Sequence, residues 1–255
     1  MGQNFLLDSN VCEKIKNLVL SENNNSDILE IGPGLGAISI YLKTIKVNNY
    51  KAIEIDKRLH EHLINKKIFT PETIVRSDAL EVDWDELFDS SEICLVGNLP
   101  YSISSPLISK FINSKKFKKA ILMLQLEMAN RIAAKISSKD YNGFTVYVQS
   151  FTEISKNFIV KSDCFFPKPN VESCIVTITK KDINNLPKLD PNIFKNFLSK
   201  AFSQRRKTLF NNLKNFYPKD KVTAAIKTIK KELTIRPQEL SPEEFAILLG
   251  SIYEN

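Results

Sequence analysis

Between residues 27 and 126 the chain alternates short apolar runs with stretches of helical spacing, and this alternation limits the fold more than any other feature. Asp27–Ile31 (DILEI) reads as a buried strand ended by Gly32-Pro33-Gly34, and residues 35–45 then take helical spacing. Residues 50–55 (YKAIEI) form a second strand, followed by an amphipathic helix over 57–67. Residues 72–76 read as a third strand and 92–96 as a fourth, which runs into Gly97-Asn98-Leu99-Pro100. Ser105-Pro106 opens the next helix, with Ser as N-cap and Pro at the first helical position. Residues 120–126 are a fifth strand with a helix behind it, and 146–152 and 173–179, rich in β-branched residues, read as later strands. Such an alternation folds as a mostly parallel sheet with helices on both faces. Ligands of these sheets lie at the carboxyl ends of the strands.

The pattern changes near residues 180–192 (KKDINNLPKLDPN). Beyond it, residues 194–202, 207–215, 219–231 and 242–253 all read as helices, the last with a capping box of Ser241 and Glu244. The expected division is a catalytic α/β domain over 1–182 and a small all-helical domain over 183–255. The run of three Asn at 23–25 reads as a loop. Net charge is +7, and residues 195–231 hold eleven Lys or Arg against one acid, Asp220. Such a segment is either a solvated helical face or a phosphate-binding surface.

Four cysteines, Cys12, Cys94, Cys164 and Cys174, form no C-x-x-C pair and suit reduced thiols in a reducing compartment. The only histidines, His60 and His62, stand two apart on an expected helix and do not share a face, so no metal site is expected. No apolar run is long enough to span a bilayer, no signal peptide precedes the first strand, and Leu6 stands where a myristoylation motif needs Ser or Thr. A cytoplasmic location without membrane attachment is the expectation.

Four unusual features fall at four strand ends. Three of the seven glycines lie within Gly32-Pro33-Gly34-Leu35-Gly36, where backbone can approach a ligand closely. Gly32, Gly34 and Ala37 also fit the dinucleotide pattern, and a tight structural turn would use the same residues. Pro33 and the third glycine favour the nucleoside loop of methyltransferases. Glu54, about twenty residues on, can accept both hydroxyls of a ribose, or can pair on the surface with Lys57 or Arg58. Asp78, after the third strand, can accept from a cofactor adenine, or can cap a helix from Ala79.

The fourth feature, Asn98-Leu99-Pro100-Tyr101, discriminates among chemistries. Adenine N6 is a poor nucleophile because its lone pair is conjugated into the ring. Its hydrogens must be held by acceptors for the nitrogen to pyramidalise, and the Asn98 side chain and Leu99 carbonyl supply two. Pro100 stiffens that backbone, and Tyr101 offers a face for a flipped base. The alternative is an ordinary turn with a buried tyrosine.

On these residues the chain resembles the ribosomal RNA adenine dimethyltransferase family over nearly its whole length. Gly2-Gln3-Asn4-Phe5-Leu6 resembles the family's opening motif. Residues 165–173 (FFPKPNVES) and 202–209 (FSQRRKTL) resemble its F-x-P-x-P-x-V-x-S and F-x-Q-R-R-K-T-L segments. The resemblance implies a Rossmann-like class I domain that binds S-adenosyl-L-methionine, followed by the helical domain. It implies cofactor contacts from Asn4, Leu6, Gly32, Glu54, Asp78 and Asn98, with Gly34, Ile55 and Ala79 beside them. It implies a target adenine held by Asn98, Leu99, Pro100, Tyr101 and Phe165, and RNA contacts from Arg205, Arg206 and Lys207. The implied product is dimethyladenosine at two adjacent adenines near the 3′ end of 16S rRNA. The implied partner is small-subunit rRNA within a pre-30S particle, with the protein a monomer that needs no metal.

An erythromycin-resistance type 23S rRNA methyltransferase would share the strand-end set, although residues 204–208 (QRRKT) favour the small-subunit enzyme. A nicotinamide dehydrogenase gives no reason for Asn98-Leu99-Pro100-Tyr101. A non-catalytic RNA-binding assembly factor would have no need of the intact acceptor set.

Overall fold

The computed structural model describes residues 4–22, 26–90, 92–182 and 189–254. The three asparagines at 23–25, Gly2, Gln3 and residues 183–188 lie outside the described residues. The chain forms two compact units, Met1–Ala129 with Ser155–Thr179, and Asn130–Ile154 with Lys180–Asn255. The expected cut after 182 falls near the last crossing, but the second unit also takes in 130–154.

Along the chain lie β1 (Phe5–Leu6), α1 (Ser9–Glu22), β2 (Asp27–Ile31), α2 (Ala37–Leu42), β3 (Tyr50–Ile53), α3 (Lys57–Asn65) and β4 (Ile74–Val75). There follow β5 (Ile93–Asn98), α4 (Ser104–Asn113), β6 (Phe117–Gln125), α5 (Leu126–Ile132), α6 (Gly143–Phe151), β7 (Thr152–Val160), β8 (Phe165–Phe166) and β9 (Ser173–Lys180). Seven strands form one sheet in the order β4-β3-β2-β5-β6-β9-β7. The first five are parallel, and β9 runs antiparallel to β6. Every residue of β2 is buried, as expected of a parallel strand covered on both faces. From β2 the chain steps one way to β3 and β4 and returns to place β5 on the other side. The carboxyl ends of β2 and β5 therefore flank the topological switch point, where open α/β sheets bind ligands. β1 and β8 pair separately as an antiparallel ribbon, Leu6 opposite Phe165 and Phe5 opposite Phe166.

Two local expectations are corrected, and the alternative reading of Asp78 as a helix cap is not taken up. Residues 146–152, expected as a strand, belong mostly to α6. Asn142 caps that helix through the Phe144 and Thr145 N–H groups, and Thr145 Oγ1 accepts from the Asn142 N–H in return. Buried Val146, Tyr147 and Val148 pack there, so tertiary burial and a strong cap override β propensity, and the strand begins only at Thr152. The helix expected from Ser105 begins at Ser104 behind a 3-10 turn over Tyr101–Ile103, which places Pro106 within the first turn, where a missing N–H costs nothing. Asp78 caps no helix; its carboxylate accepts from the Leu80 N–H at 2.8 Å in a turn.

The second unit is helical beyond residue 180, with α7 (Pro191–Ala201), α8 (Leu209–Leu213), α9 (Lys219–Thr228) and α10 (Pro242–Glu254). Asp190 and Pro191 start α7, and Ser241 with Glu244 forms the expected box before α10. Its core is aromatic: Tyr147, Phe194, Phe197 and Phe245 are fully buried, with edge-to-face contacts between Phe151 and Phe194 and between Phe197 and Phe245. No described helix is long and apolar enough to cross a membrane.

Candidate active site

Two of the four strand-end features, the glycine segment and Asn98-Leu99-Pro100, meet at a cleft enclosing about 820 Å³, open mouth included, at the carboxyl ends of β2 and β5. Of the residues singled out by the sequence, Asn4, Leu6, Gly32, Gly34, Asn98, Leu99, Pro100 and Phe165 line it. Asn4 and Leu6 arrive on the β1 ribbon, Phe165 on β8, the glycines behind β2, and Asn98 at the end of β5. Among the described residues, its wall does not include Glu54, Ile55, Asp78 or Ala79. These stand behind the neighbouring strands β3 and β4, with Ile55 exposed and Ala79 buried. Tyr101 opens the 3-10 turn after Pro100, and its side chain lies outside the described residues.

The two ends of the glycine segment have different tasks. Gly32 has φ +66°, and a Cβ built on it meets nothing within 4 Å, so the space above it is left for a ligand. Gly36, at φ +84°, leads into α2, and a Cβ there would lie 2.7 Å from Ile68 Cδ1. Packing against the residues that follow α3 thus requires Gly36, whereas internal packing leaves the approach to Gly32 open.

Glu54 is buried, with one carboxylate oxygen accepting from the Gly34 N–H at 3.1 Å and the other from the Asp56 N–H at 2.9 Å. The alternative of a surface pair is displaced: Lys57 reaches Glu61 and Arg58 reaches Asp56. Burial raises the Glu54 pKa above the ordinary carboxylate value, while the two backbone donors pull it down.

Glu30, which precedes the glycine segment and has no role suggested by spacing or motif, also lines the cleft. It is 2% exposed in a fully buried strand. Its Oε2 accepts from Ser39 Oγ at 2.7 Å and from the Tyr50 hydroxyl. Burial, with a smaller contribution from the charge of Glu54, raises its pKa to about 7. A carboxylate inside an otherwise apolar strand is itself a signal, since a buried charge needs partners. Asp27 at the other end of β2 shows the structural version, bonded to Asn49 and Ser90 away from the cleft. Phe5, Pro33, Leu35, Ala37 and Ile38 complete the wall; the first four belong to the quoted motifs without a site role of their own, and Ile38 carried no sequence signal.

Asn98 donates through Nδ2 to the Asn4 carbonyl at 3.4 Å, which leaves Oδ1 as the amide atom available to a ligand. The Leu99 N–H donates to Met123 O at 3.2 Å, and the Ser104 hydroxyl and Ile103 N–H both donate to Pro100 O at 3.1 Å. The turn is therefore held from both sides. Two buried carboxyl groups beside an open glycine loop suit a cationic nucleoside ligand. Among the described residues no group of three or more His, Cys, Asp or Glu is placed to hold a metal ion.

In the second unit Arg205, Arg206 and Lys207 are exposed in the turns between α7 and α8. The helix expected from residue 207 starts at Leu209 because Thr208 caps it, accepting from the Asn211 N–H. Arg205 donates to the Ser138 carbonyl at 2.8 Å, and Asn212 Nδ2 donates to the carbonyls of Ala201 and Gln204, which fixes the turn. Among the described ion pairs none involves these three residues.

Comparison with known proteins gives a consistent picture. A family model described as ribosomal RNA adenine dimethylase matches residues 1–248. Proteins named ribosomal RNA small subunit methyltransferase A from Mycoplasmoides gallisepticum and Malacoplasma penetrans are 43% and 40% identical, each over all of this chain and 91% of the relative. A crystal structure of a dimethyladenosine transferase from Plasmodium falciparum is similar at TM-score 0.80 with 26% identity, covering 96% of both chains. That of the 23S rRNA methyltransferase ErmE is similar in fold at TM-score 0.70 and 23% identity, covering 98% of this chain and 99% of the other.

Proposed function

The chain belongs to the ribosomal RNA adenine dimethylase family, and on that premise we propose that it methylates adenine N6 in small-subunit ribosomal RNA, using S-adenosylmethionine. The observation that carries this reading is the Asn98-Leu99-Pro100 turn, held at the end of β5 on the wall of the cleft that Gly32 and Gly34 also line. S-adenosylmethionine supplies, when bound, a methyl group activated by its sulfonium charge. Gly32 and Gly34 give it backbone approach, Glu54 accepts its ribose, and Asn4, Leu6, Ile55, Asp78, Ala79 and Asn98 complete its surroundings. Glu30 adds a second carboxyl group, at the glycine end of the cleft.

Toward the adenine, Asn98 Oδ1 and the Leu99 carbonyl hold the N6 hydrogens. The nitrogen lone pair is then directed along the line of displacement. Pro100 restricts the backbone that carries both acceptors, and the rings of Phe165 and Tyr101 hold the base. Catalysis by these residues is orientation and hydrogen-bond polarisation. No strong base is needed, because the methylated N6 cation is acidic and loses its proton to water. Arg205, Arg206 and Lys207 neutralise RNA phosphates.

The proposed product is dimethyladenosine at two adjacent adenines near the 3′ end of 16S rRNA, formed in the cytoplasm by a monomer acting on a pre-30S particle. The names of the curated relatives favour the small subunit over the large. The test is to incubate the protein with methyl-labelled cofactor and undermethylated small subunits, then map the labelled nucleotides. Absence of label from the small-subunit rRNA, with large subunits labelled in a parallel incubation or not, overturns the reading.

A further inference from the structure

We propose that Phe166 is a stacking platform for the base adjoining the target adenine on the RNA strand. This rests on the function proposed above. In the β1–β8 ribbon Leu6 lies opposite Phe165, and both line the cleft. Phe5 lies opposite Phe166. Residues directly opposite one another in an antiparallel pair share a face. Phe5 stands in the wall, its ring beside Gly34, where a built Cβ would lie 3.4 Å from Cδ1. Phe166 is therefore the outward neighbour of a wall residue. It is 67% exposed, while Phe165 beside it in sequence is 5% exposed.

Single exposed apolar side chains need no explanation in general. This one differs in place and in company. Among the described residues Phe166 enters no aromatic pair and no cation–π contact. Leu35 in the wall, and Leu7 next to Leu6, are also exposed, so apolar side chains border the cleft on several segments. Exposed Lys161 and Lys168 flank the ring in sequence, and Lys168 also pairs with exposed Asp163. An exposed pair of that kind contributes little and exchanges readily for a phosphate.

A base that enters the cleft must leave its stack, and its neighbour on the strand then loses one stacking face. An aromatic ring beside the cleft restores that face for any of the four bases. The occupant that fits is thus an unstacked RNA base, continuous with the one inside.

The test uses the whole protein with undermethylated small subunits and compares wild type with Phe166→Ala, Phe166→Leu and Phe166→Trp. Loss of one base–aromatic stack raises KM for the subunits by about 5- to 150-fold. The expected result is a KM increase in that range for Phe166→Ala and Phe166→Leu, recovery in Phe166→Trp, a smaller change in kcat, and unaltered calorimetric affinity for S-adenosylmethionine. Retention of wild-type KM by Phe166→Ala or by Phe166→Leu overturns the inference, the latter because apolar area without a π-face would then suffice. Equal loss of cofactor affinity also overturns it, since the ring would then support the cleft itself. Absence of methyl transfer by the wild-type protein overturns the functional reading, and this inference with it.

Discussion

Replacing Glu30 by Gln tests the electrostatics of the cleft directly. The Glu30 carboxyl is buried, and its pKa is raised from the ordinary 4.5 to about 7, chiefly by desolvation. Ser39 and Tyr50 oppose the rise by donating to Oε2, and the charge of Glu54 adds to it. A raised carboxyl pKa means that the folded protein holds the proton more tightly than the unfolded chain. The associated stability is fully present below pH 4.5 and is lost as pH rises through about 7. The displacement from 4.5 to about 7 corresponds to about 3 kcal/mol. Glutamine keeps the shape and an oxygen that can accept both bonds, but it never ionises. In the absence of cofactor, Glu30→Gln should therefore match wild type near pH 5 and exceed it above pH 7.5 by up to about 3 kcal/mol. For a chain of this size that is up to roughly 6–12 °C in Tm. A cationic cofactor in the same cleft favours the ionised carboxylate, so wild-type affinity should climb between pH 6 and 8 while that of the variant stays low and flat. Thermal melts at four pH values and calorimetry at pH 6 and 8 measure both effects. Parallel loss of stability in the two proteins between pH 5 and 8 would refute the assigned burial and charge of Glu30.

Asn98→Ala removes an acceptor needed in the transition state, so methyl transfer should fall by roughly a hundredfold, or about 3 kcal/mol; more than about a third of wild-type turnover would discard that role. Glu54→Gln should weaken cofactor binding more than it slows turnover at saturation, because the ribose contact is the same in ground and transition states; unaltered calorimetric affinity would contradict this. Changing Arg205, Arg206 and Lys207 together to Ala should weaken RNA binding and lower the log–log salt slope by roughly 0.7 to 0.9 for each phosphate that is no longer neutralised. All three are exposed, and Arg205 gives up one exposed hydrogen bond to the Ser138 carbonyl, so the melting temperature should fall slightly at most; a clearly lower Tm with an unchanged slope would make them structural.

Local order made the sheet legible in the sequence. Each strand of the parallel region is a contiguous apolar run with its own stop, so periodicity alone located β2, β3, β5 and β6 to within a few residues. The candidate cleft was legible where strand ends build it: Gly32, Gly34, Asn98, Leu99 and Pro100, picked out by turn chemistry, line one wall. Residues 146–152 were not legible, because their β-branched residues favour a strand locally, while the burial and the Asn142 cap that override this preference come from outside the run. Three results depended on contacts between distant segments, which no local pattern encodes. The pairing of β1 with β8 brings residues 5–6 and 165–166 together and separates a buried Phe165 from an exposed Phe166. The Glu30 pKa is raised by burial that the packed sheet imposes and held down by Ser39 and Tyr50, contributed by α2 and β3. The division of the chain assigns residues 130–154 to the helical unit although they follow β6 and include the start of β7, both strands of the sheet. Propensity and turn chemistry act over a few residues and so can be read along the chain, whereas burial and electrostatics are set by whatever the fold brings within a few ångströms.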